Sequence, residues 1–100
     1  MKELELPSDV LEAEDAVELV RFWAVNGDDV VQLYVGAMGD DEPKMWGSIL
    51  ADIANHAILA LGQNDPSLDP ENVRAQIEQG FRERLEQRIG VSGQIGGRSQ

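Results

Sequence analysis

The sequence predicts an α+β domain, an antiparallel β-hairpin packed on one face by two α-helices in the order β–β–α–α, on three observations. Two β-rich runs flank Asn26-Gly27, an apolar-periodic run of helical spacing fills residues 44–61, and Asp69-Pro70-Glu71 is a strong helix start. An N-terminal arm precedes the hairpin, the globular domain spans 1–89, and the glycine-rich stretch 90–100 lacks any periodicity and reads as a disordered tail.

Along the arm, Glu3, Leu4, Glu5 and Leu6 alternate acid with apolar and stop at Pro7, which suits an extended arm or an edge strand. Ser8 can cap a short turn that points Val10 and Leu11 inward, with Asp9 and Glu12 favouring its N-terminal end.

The hairpin follows from Val17–Val25 and Val30–Val35, both rich in β-branched and aromatic residues. Between them Asn26 and Gly27 tolerate the positive φ that tight hairpin turns demand. Strand alternation then puts Val20, Phe22, Ala24, Val31, Leu33 and Val35 on one all-apolar face, assigned to the core. The other face carries Leu19, Arg21, Trp23, Val25, Val30, Gln32 and Tyr34. An exposed Trp and Tyr, at ~150–250 Å² each, would form a large apolar patch on a small monomer. The arm or a second copy must cover it. A lone two-stranded ribbon is marginal and has two open edges, so pairing two hairpins into a four-stranded sheet across a homodimer would satisfy both needs.

Gly36–Asp41 is a loop broken by two glycines. In the run 44–61, Trp46, Ile49, Leu50, Ile53, Ala57, Ala60 and Leu61 recur at helical steps, whereas Ser48, Asp52 and Asn55 fall opposite. Asp40 and Asp41 stand where a helix has free N–H groups, Pro43 suits its first turn, and Gly62 can end it. Residues 63–68 form a turn. In the second helix Val73, Ile77, Phe81 and Leu85 step by four, Glu78 precedes Arg82 in the favourable acid-first order, and Gly80 permits close helix approach.

Charge bounds the function. The net charge is −11, from 19 acids against 8 bases, which opposes nucleic-acid binding because cations must displace the counterions on phosphate. Residues 1–73 hold 16 acids and 3 bases, whereas residues 74–100 hold 3 acids and 5 bases. The basic end is therefore either a solvated face or a dock for an acidic partner, including the acidic end of a second copy. With no cysteine there is no disulfide or thiolate site, and zinc is disfavoured by a single histidine. No apolar run reaches the ~20 residues that span a bilayer, and the N-terminus lacks a signal-peptide layout, so the expected location is cytoplasmic.

Few residues can carry chemistry. His56 lies one turn after Asp52, so a carboxylate can orient the imidazole, but Ser48 on the same stripe cannot converge with them as a triad requires. The triplet Asp40-Asp41-Glu42 lacks the ligand spacing of a calcium loop and is better explained by helix capping. Gly36-x-x-Gly39 lacks the lysine of a phosphate loop, and nothing points to a cofactor.

The order Leu-x-Leu-Pro, Ala16-Val17-Glu18-x-x-Arg21-x-Trp23, Trp46-Gly47 and Ala51-Asp52-x-Ala54-x-His56 resembles a family of ~100-residue bacterial proteins known only as a domain of unknown function, over roughly residues 3–62. The resemblance brings no chemistry. It directs attention to Arg21, Trp23, Trp46, Asp52 and His56. The expectation is a small acidic protein-interaction module that self-associates through the face bearing Arg21, Trp23 and Tyr34. The alternative is a small-molecule-binding or enzymatic domain in which Asp52 and His56 meet Arg21 or Trp46 in a pocket.

Overall fold

The computed structural model describes residues 2–87, so the stretch 90–100 read as a tail lies outside them. Its elements are α1 (Ser8–Glu12), β1 (Val20–Val25), β2 (Asp28–Leu33), α2 (Glu42–Asn64) and α3 (Pro70–Glu86), an α+β chain with the expected order of hairpin then two helices. The arm before α1 forms no strand, and Ser8 lies inside α1, whose N-cap is Pro7.

β1 and β2 are antiparallel in the register Trp23↔Val30, Phe22↔Val31 and Arg21↔Gln32, closed by the two-residue turn Asn26-Gly27. Both turn residues have positive φ, 51° and 88°, the geometry whose twist matches the strands and which asparagine and glycine adopt at least cost. One further bond, from the Tyr34 N–H to the Leu19 carbonyl at 3.0 Å, extends the ladder. The two faces are therefore composed as the alternation implied.

Helix α2 is longer than expected at both ends. Gly62 does not stop it, because its φ stays negative and the chain remains helical to Asn64; the Asp65 N–H still bonds the Leu61 carbonyl at 2.9 Å. The turn is made instead by the Asp65 carboxylate, which accepts from the Ser67 N–H at 3.1 Å and its hydroxyl at 2.7 Å. These bonds hold the Asp65 carboxyl below the ordinary range, the hydroxyl contributing most. Asp69 caps α3 by accepting from the Glu71 N–H at 3.4 Å, with Pro70 at the first position.

The helices meet each other, but they do not cover the hairpin. The extensive contacts are β1 with β2 and α2 with α3. Val73, 8% exposed, is the one buried residue among those described. Phe22, assigned to a covered face, is 61% exposed. Along α3 the stripe opens progressively, from buried Val73 through half-buried Ile77 to Phe81 and Leu85 at 51% and 68% exposed. Gly80 serves no close approach, since a Cβ there would meet nothing within 4 Å. Glu78 and Arg82 form no ion pair; the bond on that stretch runs from the Gln79 amide to Glu83 at 3.0 Å.

Candidate functional site

Among the described residues, the hairpin–α2 junction and a groove between α2 and α3 are the first two places to consider. The first is the junction between hairpin and α2. The loop after β2 turns at Gly36 and Gly39, with φ of 94° and 88°, and delivers its backbone N–H groups toward the start of α2. There the Glu42 carboxylate accepts from the Gly36 N–H at 2.9 and 3.0 Å, from the Met38 N–H at 3.1 Å and from the Trp46 indole N–H at 2.9 Å. Donors converging from three residues favour the ionised form, so Glu42 titrates below the ordinary glutamate range, with the Gly36 bond the largest cause. Neither Asp41, which sits at the N-cap without a side-chain bond, nor Asp40 performs this role. The capping expected of the acidic triplet thus falls to Glu42, which caps the preceding loop rather than the helix. Its spacing of four residues from Trp46 was the available signal.

The second is a groove of about 320 Å³ between α2 and α3, bordered by Gly47, Leu50, Ala54 and Ile58 on one side and Ile77 and Phe81 on the other. Arg74 and Glu78 stand on its rim, and it is mostly apolar.

The residues singled out in the sequence are dispersed. Arg21 on β1 donates to Glu18 at 2.7 Å, lies 3.9 Å from Glu3 in the arm, and stands 5.9 Å over the Trp23 ring. Trp23 is half-buried, and Tyr34 remains exposed just beyond β2. Asp52 and His56 are exposed on α2, make no bond to each other, and line neither the α2–α3 groove nor the shallow dent beside Arg21. Trp46 is committed to Glu42. Arg21 and Trp23 are thus brought together, but Asp52, His56, Arg21 and Trp46 do not converge within one chain. No group of three His, Asp or Glu side chains among the described residues could hold a metal ion, and no described helix is long and apolar enough to cross a membrane.

A family model described as "Domain of unknown function (DUF5076)" matches residues 3–89, extending beyond the Trp46–His56 stretch through α3. No curated protein matches the chain. Among solved structures, the chain is similar to one described as "a putative pyruvate dehydrogenase from the photosynthetic bacterium Rhodopseudomonas palustrus CGA009", with a TM-score of 0.63 and 28% identity, covering 85% of this chain and 94% of that one.

Proposed function

We infer function from one premise: this chain belongs to the DUF5076 family, a domain of unknown function. We propose that it is a small, acidic, cytoplasmic interaction module whose first partner is a second copy of itself. The observation that supports this reading is the near absence of an interior, with Val73 the one buried residue described while Phe22, Tyr34, Phe81 and Leu85 stand exposed. Burial of apolar surface is the main favourable term in folding, and a chain of this size ordinarily removes ~60% of its unfolded surface from water. A single copy leaves much of that driving force unused. The Trp23 and Tyr34 side of the hairpin, together with its open edges, is the expected seat, and two hairpins joined edge to edge would form a four-stranded sheet.

Light scattering after size exclusion at micromolar concentration should give twice the 11.0 kDa chain mass. Tryptophan emission of the native protein should shift to the red as dilution dissociates the dimer and exposes Trp23. A folded monomer with constant emission across that range overturns the proposal.

The catalytic alternative, in which Asp52 and His56 work with Arg21 or Trp46, gains no support from the dispersed placement of those residues. The activity in the neighbour's description stays with the neighbour.

A further inference from the structure

We propose that the α2–α3 groove of one copy is filled by the Phe22 face of the second copy's hairpin, reciprocally, so that the packing implied by the sequence is made between chains. This rests on the self-association proposed above and adds to its Trp23 and Tyr34 seat a second contact, made by the opposite face of the same hairpin.

Three observations argue for that occupant. The first is the Glu42 tie. It fastens Gly36 and Met38, just after the hairpin, to the first turn of α2, and with the loop so tied Phe22 remains 61% exposed. The hairpin makes no extensive contact with its own helices, and Phe22 on its apolar face stays available.

The second is charge. Ala24 and Asp29 pair across the strands on the Phe22 face, with Asp28 beside them at the acidic tip. Arg74 on the groove rim and Arg82 and Arg84 farther along α3 have no ion-pair partner among the described residues. Seating the tip toward Arg74 matches acid to base, although Glu78 on the same rim must then point away.

The third is area. Phe22, Val35 and the half-buried Val20, Val31 and Leu33, set against Leu50, Phe81 and Leu85, would cover on the order of 600 Å² at each seat, taking ~150–250 Å² for a large aromatic side chain. A two-fold dimer has two such seats and reaches about 1,200 Å², the lower bound for a stable interface. Gly47 fits the same picture: it borders the groove inside a helix, and no neighbour within the chain would meet a Cβ there.

The native chain has no cysteine, so single thiols report cleanly. Ala24→Cys protein mixed with Ala54→Cys protein and treated with a short bismaleimide should give the mixed covalent dimer at least ten times faster than Ala24→Cys mixed with Ala60→Cys, a site off the groove. Each variant carries one small substitution, and circular dichroism confirms its folding. Equal rates in a protein that scatters as a dimer overturn this seat and leave self-association standing. Equal rates in a monomer overturn both.

Discussion

Glu42 ties the loop after the hairpin to the first turn of α2. Its carboxylate satisfies backbone donors of the loop and the Trp46 indole at once, so protonation disturbs the junction rather than one bond. Because the folded group titrates below its unfolded counterpart, its contribution is complete above the unfolded value and is lost as pH falls through the lowered folded one. The Trp46 indole N–H resonance should therefore titrate with a midpoint below the ordinary glutamate value. In Glu42→Gln that step should vanish. A midpoint at or above the ordinary value would remove Glu42 from this role. The residue was visible in the sequence as part of an acidic triplet, but its partners were not, because they come from a loop whose path depends on two glycines at positive φ.

At the scale of elements, the hairpin and the start of α3 were legible because their causes are local. Asn26-Gly27 closes the turn on its own conformational preferences, and Asp69-Pro70-Glu71 supplies cap, fixed φ and favourable charge within three residues. The end of α2 was misplaced at Gly62 because a glycine permits a stop without enforcing one, and the Asp65–Ser67 turn three residues on ends it instead. A glycine at position 80 suggests a close-packing site, yet it faces open space on an exposed stretch of α3. Replacing it by alanine should raise stability by about 0.5–1 kcal/mol through helix propensity alone, read as a shifted urea midpoint at unchanged slope. Loss of stability in Gly80→Ala would mean that another chain lies against that position.

For the whole molecule, strand parity identified correctly which residues share a face, but not whether the helices of the same chain cover it. Periodicity reports that Phe22, Val31 and Leu33 want burial; it carries no information on whether the partner surface belongs to the same copy. The candidate chemistry of Asp52 and His56 was legible as spacing only, since convergence with Arg21 depends on how hairpin and helices are placed. If the interior is completed by association, the melting temperature must rise with protein concentration, by mass action. Scanning calorimetry over a hundredfold concentration range should show that rise, whereas a constant value would indicate a self-sufficient single copy. The scarcity of burial in one chain reaches into the cell as well. If folding waits for a mate it is second order, and halving synthesis of the chain should then remove more than half of its folded form. Unmated copies would then stay open to proteases, and gene dosage would set a threshold below which the protein hardly accumulates.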